Sequence, residues 1–94
     1  MAKLSEAEKK RRKEHEIIDR ATHILNIMWA CRDGVRYNGL HTWSKADLPN
    51  AEGLWEGFEW GITIAYGYRW AVKLNKLYQD YQELHGPLYK SKED

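Results

Sequence analysis

The most informative segment of the chain for its fold is GLWEGFEWGITIAYGYRW, residues 53–70. Small residues recur in it every four positions, at Gly53, Gly57, Gly61 and Ala65. On a helix this spacing places them in one stripe along a single face. Each glycine inside a helix costs roughly 1 kcal/mol relative to alanine, so three of them on one face need a compensating interaction. We expect another backbone to pack closely against the stripe.

Bulky aromatic side chains fill the positions between the small residues, among them Trp60 and Tyr66. Glycines on such a face allow either a close helix–helix contact or the approach of a ligand to the backbone. The helix–helix contact is either between two copies of the chain or between two helices of one chain. We predict the contact between copies, because so small a protein cannot cover this many aromatic side chains alone.

This segment belongs to a predicted helix, helix B, from about residue 51 to 84. Asn50 precedes it and has the short polar side chain that favours an N-cap. Gly86-Pro87 ends it, because glycine commonly terminates helices and proline cannot continue them. The remaining residues, 87–94, form a predicted polar tail.

An earlier helix, helix A, is predicted from about residue 5 to 32. Ser5 followed by Glu8 is a capping-box pattern, and Gly34 is a natural C-terminal stop. The first half of the helix is almost entirely charged, whereas residues 27–31 are apolar nearly all round. We therefore expect the C-terminal end of helix A to be buried.

Between the helices lies VRYNGLHTW, residues 35–43. Asn38-Gly39 is a strong hairpin signal, because a type I′ turn needs a positive φ at both central positions. In the two-residue hairpin that this predicts, Arg36 lies opposite His41. A lone hairpin is marginal in water, so it must pack on the helices or pair with a second copy.

The predicted fold is therefore mainly α, with two long antiparallel helices joined by a short β-hairpin and packed as a homo-oligomer. The whole chain, residues 1–94, is one domain. At 1.5 Å per residue, helix A is about 40 Å long and helix B about 50 Å.

The totals for the chain exclude some functional classes. A net charge of +1 excludes a globally basic nucleic-acid binder, although local patches remain. Cys31 is the single cysteine, which fits a reducing cytosol, and the N-terminus has no apolar segment typical of a secretory signal. The longest apolar stretch, residues 54–74, contains four charged side chains, which argue against a membrane span. We expect a cytoplasmic protein with no membrane partner.

The connection between the helices is the predicted ligand-binding site. Four potential cations and one indole lie close together there: Arg32, Arg36, His41, Trp43 and Lys45. Guanidinium groups bind phosphate or carboxylate bidentately, and indole stacks on planar groups. Tryptophan and arginine are also enriched in interface hot spots. The alternative is that Trp43 plugs the core while the cations face water.

A basic run in helix A offers a second reading. It consists of Lys9, Lys10, Arg11, Arg12 and Lys13. Such a run can bind the phosphates of nucleic acid. Acidic residues interleave with it four positions away on either side, which is typical of a solvated helix face. We prefer the solvated face.

Titratable side chains on both helices offer a third reading, a small enzyme. His15, Asp19 and His23 follow one another at intervals of four and are candidate ligands for a divalent metal. They span about 12 Å on a straight helix, too far for one ion to reach all three easily. Glu59 is a candidate general acid or base if buried.

The sequence predicts a non-enzymatic, homo-oligomeric binding module without a cofactor. Its partner is a protein or an anionic small molecule such as a nucleotide, held by the connection between the helices. Nucleic-acid binding through the basic run and a small metal-dependent or acid/base enzyme are the alternatives.

Overall fold

The computed structural model describes residues 5–37 and 41–89, and its regular elements are mostly helical. In chain order they are α1 (Glu6–Asp33), β1 (Arg36–Tyr37), β2 (His41–Thr42), a 3₁₀ turn (Lys45–Asp47), α2 (Leu48–Tyr66) and α3 (Tyr68–His85).

α1 begins and ends where its capping residues predict. The Ser5 side chain accepts a hydrogen bond from the backbone N–H of Glu8 at 3.1 Å, and Gly34 adopts the left-handed conformation with φ 67°. The predicted burial of its C-terminal end is confirmed. The nine buried residues of α1 are Ile17, Ala21, Ile24, Leu25, Ile27, Met28, Trp29, Ala30 and Cys31.

The predicted continuous helix B is wrong, because the chain turns at Gly67. This residue has φ 108° and ψ 164°, a backbone conformation essentially restricted to glycine. The N–H of Gly67 still bonds the carbonyl of Thr63 at 2.9 Å, and its own carbonyl accepts from Trp70 at 3.0 Å. One residue thus ends α2 and starts α3, and the chain folds back on itself.

The three helices pack side by side. α3 runs parallel to α1. Near the N-terminal end of α3, Lys73 Nζ lies 3.8 Å from Glu14 Oε2, and near its C-terminal end the Tyr81 ring contacts Trp29. α2 runs antiparallel to both, with Tyr66 beside the first half of α1. The turn at Gly67 lets both halves of the predicted helix B cover α1.

The core lies where α2 and α3 meet the second half of α1. Its largest fully buried side chains are those of Trp70, Leu25, Met28, Leu74 and Cys31. Trp29 packs edge-on against two tyrosines of α3, with ring centroids 4.8 Å from Tyr81 and 5.7 Å from Tyr78. Its indole N–H donates to the Gly86 carbonyl at 3.0 Å. Within the described residues the fold buries Trp29, Trp55 and Trp70, whereas Trp60, Tyr66, Tyr68 and Tyr89 stay exposed.

The C-terminal end also contributes to this core. Leu88, which the sequence places in the polar tail, is buried among the core residues. The Tyr89 hydroxyl donates a hydrogen bond to the Glu52 carboxylate. An apolar residue and a tyrosine thus fix the chain after Gly86 to the bundle. Residues 90–94 lie outside the described part.

The predicted hairpin is also wrong. Within residues 5–37 and 41–89, two pairs of residues form a ladder, Arg36 with Thr42 and Tyr37 with His41, so the register differs by one residue from the predicted one. A one-residue slip exchanges the two faces of a strand. The predicted turn at Asn38-Gly39 lies outside the described residues.

The predicted fold class is thus corrected in two respects, while its mainly α character is confirmed. Three helices replace the two long ones, and a two-pair ladder replaces the hairpin. The fold-back at Gly67 lets one chain bury Trp55 and Trp70 in the same core, and the homo-oligomer stays a prediction.

Candidate interaction surface

Arg32, part of the predicted ligand site, is committed to the fold. Its Nη1 donates to the carbonyls of His85 at 2.8 Å and Pro87 at 3.1 Å. Its Nε and Nη2 donate to the two carboxylate oxygens of Asp33 at 2.8 and 3.1 Å. The guanidinium therefore holds the end of α3 and has little capacity left for a ligand.

Of the other predicted ligand residues, Lys45 is the one that shares a depression with Arg32 in the described part of the chain. Arg36 and Lys45 are exposed, and Trp43 is half-buried against the core, as in the alternative reading. Arg36 pairs with Thr42 instead of His41, whose side chain lies outside the described part. Arg32 and Lys45 share only a small depression of about 280 Å³ that also includes Leu88.

The glycine stripe of α2 has no backbone packed against it. Gly53, Gly57, Gly61 and Ala65 are all exposed. A Cβ atom built on any of the three glycines meets no atom within 4 Å. The contact with α1, the intrachain alternative, is therefore not formed, and the stripe is open to solvent.

Large apolar side chains are exposed beside these glycines. The exposed fractions are 52% for Leu54, 69% for Trp60 and 75% for Ile64. With 3.6 residues per turn, Trp60 and Ile64 lie on the side of α2 opposite the buried Leu48, Ala51 and Trp55, and Leu54 lies at the edge of that side. We call this surface the outward face of α2, and it comprises Gly53, Leu54, Gly57, Trp60, Gly61 and Ile64.

A cleft of about 700 Å³ runs between α1 and α2 along the edge of this face. Gly57 and Gly61 lie on its α2 side together with Phe58, Ile62 and Tyr66. The α1 side carries charged and polar side chains, those of Lys13, Glu16, Asp19, Arg20 and His23. The glycines thus widen a groove that has an apolar wall and a charged wall.

Charges near the outward face are unevenly distributed along α2. Glu56 and Glu59 lie in its first two-thirds, and Arg69 follows directly after the turn at Gly67. Within the described residues none of these three side chains forms an ion pair. Lys13, which lines the cleft from the α1 end near Tyr66, lies 3.9 Å from Glu16. Glu56 is therefore an exposed carboxylate near the middle of α2, whereas Lys13 and Arg69 lie near its C-terminal end.

The basic run lies at the exposed start of α1. All five of its residues are exposed, which fits a solvated face, and phosphate binding stays a prediction.

The candidate metal ligands and the candidate acid or base lie on α1 and α2. The His15 Nδ1 and Asp19 Oδ1 atoms are 3.9 Å apart, and both side chains are exposed. Across residues 5–37 and 41–89, no three His, Cys, Asp or Glu side chains are grouped to hold a metal ion. Glu59 is half-buried.

Among the residues that the structure describes, three side chains have raised pKa values. Burial raises the pKa of the Cys31 thiol, and the Asp47 carboxylate adds to the effect. Burial likewise raises the pKa of Tyr78, with a smaller contribution from the charge of Glu52. The hydrogen bond to Glu52 raises the pKa of Tyr89 to about 12. In each case the neutral form of the side chain is favoured.

The sequence alone identified the glycines and Trp60, but it missed Leu54 and Ile64 as parts of the same surface. Aromatic and aliphatic residues surround α2 almost completely, so periodicity did not separate its buried side from its exposed side. The position of Gly67 in the segment 53–70 was the one signal that the helix is shorter than predicted.

Comparison of the chain with protein families, curated proteins and solved structures gave no match. Among the described residues, no helix has the length and apolar character needed to cross a bilayer.

Proposed function

We propose that this chain is a non-enzymatic protein-interaction module, and that the outward face of α2 binds a second copy of the chain. The observation that carries the proposal is the exposure of Trp60 and Ile64 beside glycines with empty space above them. Contiguous apolar surface of this kind marks an interaction site in soluble domains.

The energetics of α2 support a partner on this face. Three glycines in an exposed helix each cost roughly 1 kcal/mol relative to alanine, and the monomer has no contact that compensates. Burying an exposed tryptophan at an interface contributes more than most residues, because its ring removes a large apolar area from water. A partner on the outward face offsets the cost of the glycines.

A second copy fits this surface better than an anionic ligand does. The face contains both protruding side chains and open glycines, so it can be complementary to itself, as a two-fold interface requires. The net charge of +1 imposes little repulsion between copies. An anionic small molecule has weaker support, since the donors of Arg32 are occupied by Asp33, His85 and Pro87.

Sedimentation velocity over a range of concentrations tests the proposal. We expect the wild type to form a dimer at micromolar concentrations, and Trp60→Ser to weaken it by about tenfold or more. Leu84→Ser is the matched control, because Leu84 is 78% exposed but lies on α3 away from the face. A wild type that stays monomeric throughout, or equal weakening by both substitutions, would contradict the proposal.

A further inference from the structure

We infer that two copies pair their α2 helices in an antiparallel arrangement, in which Ile64 of each copy packs over Gly57 of the other and Trp60 packs over Gly61. This inference rests on the proposed function, because it specifies how self-association occurs. It adds a register, which self-association alone does not define.

The spacing of the residues points to this register. Gly57 and Gly61 are four residues apart, and so are Trp60 and Ile64. In an antiparallel pair the numbering of one helix rises as that of the other falls. When Ile64 faces Gly57 of the second copy, Trp60 therefore faces Gly61 without any further adjustment. The two-fold axis then forms each contact twice.

A parallel two-fold pair does not give this complementarity. Symmetry would place each residue opposite its own copy, so that Trp60 faces Trp60 and Gly57 faces Gly57. The large side chains would then hold the helices apart at one level and leave a void at the next. Close packing requires protruding side chains to meet open positions, and only the antiparallel pair provides this.

The shape of the outward face matches the standard packing of helices. Residues four apart form a ridge on a helix, and neighbouring rows form the grooves between ridges. Trp60 and Ile64 form such a ridge, with exposed fractions of 69% and 75%. Gly57 and Gly61 form the adjacent groove, with no atom within 4 Å of the position of a Cβ. Ridge and groove therefore interdigitate in both directions when two copies meet.

The charges around the face are complementary in the same arrangement. The antiparallel pair places the exposed Glu56 of one α2 toward the C-terminal end of the other. Arg69 follows that end at the start of α3. A parallel pair would instead place Glu56 opposite Glu56 of the second copy. Opposed helix dipoles add to the preference for the antiparallel pair.

An exchange of residues tests the register. Gly57→Ile alone places isoleucine against Ile64 of the second copy, and Ile64→Gly alone leaves a void over Gly57. We expect each single variant to weaken the dimer by about tenfold or more. The double variant Gly57→Ile/Ile64→Gly restores a large side chain opposite a glycine, and we expect its dissociation constant to return to within about threefold of wild type. Circular dichroism confirms that each variant folds.

The outcomes separate this inference from the proposed function. A monomeric wild type overturns both. If the wild type is dimeric but the double variant dimerises no better than the more weakly dimerising single variant, the register is wrong. Self-association itself then still stands. Gly53→Ile/Ile64→Gly is the matched control, because it makes the same exchange one turn away and does not restore the contact. Equal rescue by this control also overturns the register.

Discussion

The Arg32 side chain holds the C-terminal end of α3 against the end of α1. It donates hydrogen bonds to the carbonyl of His85, the last residue of α3, and to the carbonyl of Pro87 just beyond it. The Asp33 carboxylate accepts from its other donors. Cations at a helix C-terminus also interact favourably with the helix dipole. Arg32, which the sequence analysis placed in a ligand site, thus stabilises the fold. The sequence did not show this, because the His85 and Pro87 carbonyls lie more than fifty positions away in the chain.

We predict that Arg32→Ala destabilises the protein by about 2 kcal/mol, since carbonyl groups lose a charged donor. Urea denaturation followed by circular dichroism measures the change. Arg36→Ala is the control, because Arg36 is exposed, and its effect should stay within about 0.5 kcal/mol. Equal effects of the two substitutions would show that the Arg32 contacts contribute nothing.

The glycines within α2 and the glycine at its end have different structural roles. Gly53, Gly57 and Gly61 are helical and solvent-exposed, so nothing inside the monomer requires them to be glycine. Gly67 has a positive φ of 108° and no such freedom. Sequence spacing drew attention to the first three, while the fourth changes the direction of the chain.

We predict opposite effects for two alanine substitutions in α2 and at its end. Gly67→Ala should destabilise the fold by about 1–3 kcal/mol, because a side chain is strained at this φ and ψ. Gly53→Ala should stabilise the monomer by up to about 1 kcal/mol, because alanine favours a helix and its Cβ meets open space. Thermal and urea unfolding of both variants measure these changes. Stabilisation by Gly67→Ala would contradict the turn between α2 and α3.

Across the whole molecule, the side chains with raised pKa values lie in different parts of the chain. Cys31 lies in α1, Tyr78 in α3 and Tyr89 beyond it, next to Glu52 of α2. A raised pKa means that the folded state binds the proton more tightly than the unfolded state. The resulting stabilisation is complete below the ordinary pKa and is lost as the pH rises through the folded value.

We therefore predict that the protein loses stability in alkaline solution. For Tyr89 the loss begins near the ordinary tyrosine pKa of about 10 and is complete above about pH 12. Urea midpoints measured across this range give the profile. Tyr89→Phe removes one of the groups, so its profile should fall less steeply than that of wild type. Parallel profiles would show that the hydrogen bond to Glu52 does not persist in solution.

Local features of this protein could be predicted from its sequence: its mainly α character, the caps of α1, the burial of the C-terminal end of α1 and the unusual glycines of α2. These follow from interactions within a few residues or from a simple apolar pattern. The sequence did not determine the break at Gly67, since glycine tolerates both helical and left-handed conformations and only the packing of Trp70 and Leu74 against α1 selects between them.

Two features could not be predicted from the sequence: which side of α2 is exposed, and which of the predicted site residues take part in the fold. α2 is apolar almost all round, so its buried side depends on where α1 and α3 lie. The role of Arg32 likewise depends on the approach of the α3 C-terminus. Both are long-range contacts, and their free energy comes from surfaces that meet only after the chain has folded back.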